Sequence, residues 1–340
     1  MLFKNNTKTF IIAEAGVNHN GSLKVAKKLI DYAALAKADA IKFQSFKTSE
    51  LVSVYAKKMS HQKRAEKKLS QFDLLKKLEL TPLDHIILQK YCKKKKIIFL
   101  SSAFDIPSLK LLKKIKIPIF KIPSSEINNL PYLKVAGSYN KPTILSTGMS
   151  DIKEIGIAVK TLKKYGLKNK NLFLLHCTSQ YPADYKNLNL NAIKTLKDKF
   201  NVRVGYSDHS RGLTIPLALA SHNLSIYEKH FTLSRKLKGP DHSASLEPKE
   251  LKKMITNYRI IENSMGSYQK KIVKCEKEFR KLGRKSLVAK KNIKKGQLFS
   301  TNNLSLKRPG TGMSPDKFQK LLGKKARKNY MLDELINEKI

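Results

Sequence analysis

Along the chain, short runs of Ile, Val, Leu and Phe recur, each followed by a lysine-rich stretch whose apolar residues return at helical spacing. The apolar runs predict strands beginning at Phe10, Asp39, Ile97, Ile119, Pro142, Leu172, Val202 and Leu224. The stretches between them predict helices beginning at Ser22, Pro82, Asp151 and Leu190, and EPKELKKMITNYRIIENSMG supplies one after the eighth strand. Several helices open on Ser, Asp or Asn, side chains that accept from the free N–H groups of a first turn. Eight alternating units in ~265 residues predict an α/β fold closed as a (β/α)8 TIM barrel, whose usual size is ~250 residues. A doubly wound open sheet is the alternative, and eight near-equal units favour closure. The polar segment 51–80 is too long for an ordinary connection and predicts a loop with a helix in SQFDLLKKLEL, lying over the barrel mouth.

Near Lys281 the pattern changes to short β-like runs broken by Gly, Asn and Pro, with no long helix before the last turns. The chain therefore divides into a barrel over 1–267, a charged linker over 268–285 and a small β-rich domain over 286–340. Lys and Arg number 69 against 26 acidic residues, a net charge of +43. Such an excess attracts anions. Only nine of these residues are Arg, however, and the lysines spread over nearly every polar stretch without aromatic interleaving, which fits solvated helix faces better than a nucleic-acid stripe. Three widely spaced cysteines give no disulfide framework, so a reducing compartment fits. MLFKNNTKTF lacks a signal-peptide core and no run approaches the ~18 apolar residues of a membrane span, which predicts a cytoplasmic protein without membrane contact.

In a barrel of this kind the chemistry collects at the C-terminal strand ends. Those ends carry Glu14, Asn18 and His19; Lys42 and Gln44; Ser101 and Ser102; Lys121, Ser124 and Glu126; Ser146 and Thr147; His176, Thr178 and Tyr181; Ser207, Asp208 and His209; and Glu228 and His230. Lys42 and Lys121 sit in otherwise apolar strands, where an unpaired ammonium is costly, so each either snorkels to the rim or serves chemistry. With Ser102, Ser124, Ser146 and Ser207 they form a set of cations and hydroxyls suited to phosphate and carboxylate. Either lysine is also a candidate Schiff-base nucleophile. His209 and His230 end neighbouring strands, and two neutral imidazoles bind a divalent metal while leaving positions for water and substrate. A lone strand-end His is more simply a hydrogen-bonded rim residue; the pair carries the metal reading.

Nine segments in order, AEAGVNHNGS, IKFQSFKTSELV, FKIPSSE, ILSTGM, HCTSQYPA, GYSDHS, EKHFT, GPDHSASLEP and KRPGTG, resemble the sialic acid synthase family over almost the whole chain. The resemblance implies condensation of phosphoenolpyruvate with an N-acylated amino sugar to a nonulosonic acid, on a (β/α)8 barrel followed by a small antifreeze-like (SAF, β-clip) domain. GPDHSASLEP and YPADYKNLNLNAI look more like the N-acetylneuraminate and legionaminate synthases than the pseudaminate branch. By this resemblance His209 and His230 hold Mn2+, or Mg2+ or Co2+ in its place. Lys42, Ser102, Lys121, Ser124, Ser146 and Ser207 hold phosphoenolpyruvate, and Gln44, Glu126, Tyr181, Asp241 and Arg308 the sugar. Glu14 and Glu126 are the candidate catalytic acids for the proton of the attacking water. The resemblance also implies a domain-swapped homodimer in which Arg308 serves the partner's barrel. The sequence departs from the family at Ser102 for Thr, Ser125 for Gly, Ser179 for Asn and Lys37 for Gly, and no sugar-binding Asn is matched in HQKRAEKK. Two rivals from other classes are a lysine Schiff-base aldolase and a basic nucleic-acid-binding protein.

Overall fold

The computed structural model describes residues 8–59, 62, 63, 66 and 68–338. Eight parallel strands run in sequence order: β1 (Phe10–Gly16), β2 (Ala40–Ser45), β3 (Ile98–Ala103), β4 (Phe120–Ile122), β5 (Thr143–Ser146), β6 (Leu172–Cys177), β7 (Arg203–Asp208) and β8 (Ile226–His230). Because β1 pairs with both β2 and β8, the sheet is a closed barrel and the open-sheet alternative is excluded. Parallel neighbours require crossovers, which helices such as Leu23–Leu35, Pro82–Lys94, Ile152–Lys164, Ala192–Phe200 and Pro248–Ser264 supply. Ser22 and Asp151 cap their helices as expected, whereas Asn191 makes no side-chain cap.

Strand residues alternate between two faces, and the alternation builds the barrel in layers. Phe10, Ile12, Ala40, Leu100, Ile119, Ile144, Phe173, Leu175 and Ile226 form one apolar cluster that fills the barrel interior. Their neighbours, among them Ile11, Ile41, Phe99 and Leu174, join the larger cluster between sheet and helices. Two residues beyond the interior plug, on the same strand faces, stand Glu14, Lys42, Ser102, Lys121, Ser146, Cys177 and Glu228. A polar layer therefore rests directly on an apolar floor. Gly205 lets β7 approach β8 at this level, since a Cβ there would run into the Ile226 carbonyl oxygen. Lys37 is exposed with φ +62°, a left-handed conformation that costs a non-glycine residue about 1 kcal/mol.

The segment after β2 covers the mouth. It contains the short helix Thr48–Leu51 and the helix Gln71–Leu78, and Leu74 and Leu78 pack with Val17 and Phe46. Glu79 ties the two helices by accepting from the Thr48 N–H at 3.1 Å and its hydroxyl at 2.7 Å. His61, Arg64, Ala65 and Lys67 of HQKRAEKK, and residues 1–7 of the N-terminal stretch, lie outside the described residues.

Contacts divide the chain into Met1–Met265 and Gly266–Ile340. In the second unit β9 (Ser286–Ala289) pairs antiparallel with β10 (Leu304–Lys307) over a core of Leu287, Ile293, Phe299, Leu321, Tyr330 and Ile336. The stretch expected as a linker contains a helix, Glu276–Gly283. No helix forms in the last described residues, contrary to expectation. Tyr330 and Leu335 instead bridge to Ile293 and Val288, and Tyr330 and Ile336 are buried in the core of this unit. Cys92, Cys177 and Cys275 are free thiols, and among the described residues no helix is long and apolar enough to cross a membrane.

Candidate active site

Lys42 and Lys121 do not snorkel to the rim, being only 2% and 4% exposed. Lys42 Nζ lies 2.8 Å from Glu14 Oε2 and 3.6 Å from Glu228 Oε1, and donates to Ser102 Oγ at 2.8 Å. Lys121 Nζ donates to both Glu228 oxygens at 3.0 and 3.1 Å, and Ser207 Oγ donates to Glu228 Oε1 at 3.0 Å. Two ammonium groups and two carboxylates thus interlock in a water-poor layer, where each charge weighs more than it would at the surface. Burial alone would raise the Glu228 carboxyl, but Lys121 and Lys42 overcome it and hold this group well below the usual range. Burial dominates at Glu14, whose carboxyl rises despite Lys42. Burial opposes the Lys42 ammonium, yet Glu14 and Glu228 together raise its pKa, which keeps it charged and unsuited to attack a carbonyl. Lys121 moves the other way, lowered by burial beyond what Glu228 returns.

The imidazoles stand beside this cluster. His209 Nδ1–H donates to the Thr178 carbonyl at 2.6 Å, so the Nε2 lone pair is free to bind, with Ser207 Oγ 3.5 Å away. His230 Nδ1 is buried with no hydrogen-bond partner among the described residues, and Asp241 Oδ2 lies 3.9 Å from it. The two rings are 5.5 Å apart between centroids, and the Tyr181 ring lies tilted at 33° with its centroid 4.2 Å from that of His209. Burial holds both imidazoles neutral at physiological pH, His209 at about 4 and His230, with His209 and Lys42 adding, well below its usual value. Neutral rings are the metal-binding form. Among the described residues no three His, Cys, Asp or Glu side chains converge as a closed metal site. Two imidazoles, one with an orphaned nitrogen, fit an ion that keeps open positions for water and substrate.

Glu14, Lys42, Gln44, Ser102, Lys121, Ser124, Glu126, Ser146, Tyr181, Ser207, His209, His230 and Asp241 all line one cavity of about 1580 Å³. Glu126 is held by Asn129 Nδ2 at 2.7 Å and by Ser125 Oγ at 3.2 Å, so the serine standing in the usual glycine position has a partner. Ser179 also lines the cavity. Arg308 is exposed in the second unit, on the loop after β10. Other polar strand-end residues are turned away by alternation. Ser101 bonds Ser45 at 2.7 Å, Thr147 the Leu175 carbonyl at 3.0 Å, and His176 the Leu188 carbonyl at 2.7 Å. Glu228, absent from the residues assigned a role from sequence, proves to be the hub of the cluster. Its signal was present, since it precedes His230 by two and so shares its face of β8.

Known proteins resemble the chain over most of its length. The chain is 51% identical to the N,N'-diacetyllegionaminic acid synthase of Campylobacter jejuni serotype O:2, over 97% of this chain and 99% of that protein. It is 35% identical to the pseudaminic acid synthase of Campylobacter jejuni serotype O:23/36, over 99% and 97%. The N-acetylneuraminic acid (sialic acid) synthetase of Leptospira borgpetersenii, crystallised with citrate, superposes with a TM-score of 0.70 at 39% identity, over 80% of this chain and 90% of that one. The SAF domain model matches 284–336. With the NeuB family model matching 29–270, from within the first helix to beyond the eighth strand, the chain belongs to the NeuB family.

Proposed function

We propose that this enzyme condenses phosphoenolpyruvate with an N-acylated amino sugar, giving a nonulosonic acid and phosphate. The observation that carries the proposal is the Lys42–Glu14 and Lys121–Glu228 lattice, ringed by serine hydroxyls and shared in one cavity with two neutral histidines. Lys42 and Lys121 offset the negative charge of the phosphate and carboxylate, and Ser102, Ser124, Ser146 and Ser207 supply hydroxyl donors. The sugar, open to its aldehyde, lies toward Gln44, Glu126, Tyr181 and Asp241. The double-bond electrons at C3 of phosphoenolpyruvate form the new bond to the aldehyde carbon, whose oxygen takes a proton. Water adds to the electron-poor C2, and the tetrahedral adduct expels phosphate to leave a ketone. To Glu14 we assign the water's proton, since its carboxyl sits 2.8 Å from Lys42 within the charged cluster, whereas Glu126, also raised by burial, is held by Asn129. His209 and His230 would hold a divalent cation, Mn2+ or else Mg2+ or Co2+, which when bound supplies Lewis acidity toward the sugar's aldehyde oxygen.

The sugar we favour is 2,4-diacetamido-2,4,6-trideoxymannose. Identity of 51% to the legionaminate relative against 35% to the pseudaminate one supports it. So does the apolar side of the mouth, lined by Phe46, Leu51, Val52, Met59, Leu75 and Phe104, which suits methyl and acetyl groups. Incubation of the chain with phosphoenolpyruvate, Mn2+ and this sugar should yield the nonulosonic acid by mass spectrometry. Faster turnover of N-acetylmannosamine or of the pseudaminate precursor would reassign the sugar, and no product with any would reject the reaction.

Arg308 we assign to the barrel of a partner copy in a homodimer, its guanidinium fork engaging the sugar. Co-expressed His209→Ala and Arg308→Ala chains should regain activity in mixed dimers, where one of the two sites draws both wild-type residues. Proven mixed dimers without activity would return Arg308 to its own barrel or remove its role.

A further inference from the structure

We propose that the buried Asp208–Lys229 pair is a positioning clamp that holds His209 and His230 at ligand spacing. The inference rests on the metal reading of those histidines and extends it to residues that touch neither metal nor substrate. Asp208 and Lys229 are register partners on β7 and β8, each one residue before its histidine. Alternation turns the histidines into the cavity and this pair outward, against the helix layer, so both pairs share the same two stretches of backbone.

The pair is built more tightly than charge neutrality requires. Both side chains are fully buried, with Lys229 Nζ 2.6 Å from Asp208 Oδ2. The Tyr227 hydroxyl donates to the same oxygen at 2.6 Å. Asp208 Oδ1 accepts from the Ser210 N–H at 2.8 Å and its hydroxyl at 2.6 Å, and Lys229 also donates to the Ser210 carbonyl at 2.5 Å. Residues on both sides of His209 are therefore anchored to β8 through Lys229. A buried ion pair stabilises a fold no better than well-packed apolar side chains of the same volume, but its hydrogen bonds are directional. Direction is what a two-imidazole site needs, because Thr178 fixes the His209 ring while nothing among the described residues hydrogen-bonds His230 Nδ1. Tyr181 and His209 pack edge-on against the His230 ring, but no hydrogen bond among the described residues aims its Nδ1, so the placement of that nitrogen follows the backbone of β8, and the clamp registers that backbone against β7.

The test separates positioning from stability. Mn2+ affinity is measured without substrates, by titration of the full chain with detection of free Mn2+ by electron paramagnetic resonance, alongside thermal melting. Asp208→Asn and Lys229→Met each leave an unmatched buried group and should lower both. The double variant Asp208→Asn/Lys229→Met removes both charges, and should recover most of the melting temperature while still binding Mn2+ about 10–100-fold more weakly than wild type. Its turnover should fall more than its KM for phosphoenolpyruvate rises. Tyr227→Phe, which removes one donor and keeps the charges, should weaken Mn2+ by a smaller factor and covers the case in which the double variant does not fold. Wild-type Mn2+ affinity in the folded double variant, or in Tyr227→Phe if only that folds, would overturn the clamp and leave the pair a matter of stability. A wild-type chain that binds no Mn2+ would instead overturn the metal reading beneath it.

Discussion

His209→Ala and His230→Ala are each expected to lower turnover by about 100-fold or more, a loss larger than that of a supporting contact because each removes one of the two donors we propose for the metal. The two rings come from neighbouring strand ends, and burial keeps both nitrogens neutral and ready to bind. The folded state should survive either change, since neither side chain anchors the apolar clusters. Circular dichroism would check this while turnover is measured with and without added Mn2+. Exhaustive chelation of the wild-type enzyme should abolish activity, and adding back a divalent cation should restore it. Full turnover after chelation would overturn the metal reading and reopen Schiff-base chemistry.

Lys121→Met should raise the KM for phosphoenolpyruvate by about 10–100-fold, the equivalent of losing a charge-assisted contact of ~1.5–3 kcal/mol. The sugar's KM should change much less. The same substitution strips Glu228 of its 3.0 Å partner and leaves it to Lys42 at 3.6 Å and to Ser207, so melting temperature should fall too. Adding Glu228→Gln to Lys121→Met removes the unmatched charge. That double variant should regain stability without regaining phosphoenolpyruvate affinity. Unchanged kinetics in Lys121→Met would reduce this lysine to a structural partner of Glu228. Borohydride with pyruvate should leave no adduct on the wild-type chain, because Lys42 is held as an ammonium and Lys121, although burial lowers its pKa, donates to both oxygens of Glu228.

Much of this site was legible before any coordinates. Strand and helix periods are written in neighbouring residues, so the eight strands, the helix over Gln71–Leu78 and the break toward a β-rich second unit follow from local pattern. Thirteen of the fourteen residues singled out line the cavity, since the C-terminal ends of barrel strands converge whatever the loops do. Which face each residue takes was within reach of the same pattern, because counting by twos from the interior plug separates Ser102 from Ser101 and His209 from Asp208.

What sequence alone determined about this protein is therefore its family, its barrel and the chemical types gathered at its mouth. The tertiary structure decided which charges meet. Glu228 became the hub only when barrel closure brought β2, β4 and β8 together, setting Lys42 and Lys121 within 3.6 Å of one carboxylate. Asp208 and Lys229, 21 positions apart, became a clamp only through the register of β7 with β8. Local periodicity depends on chain neighbours, whereas the free energy of a buried charge depends on distance and on the water excluded around it, and closure of the sheet sets both.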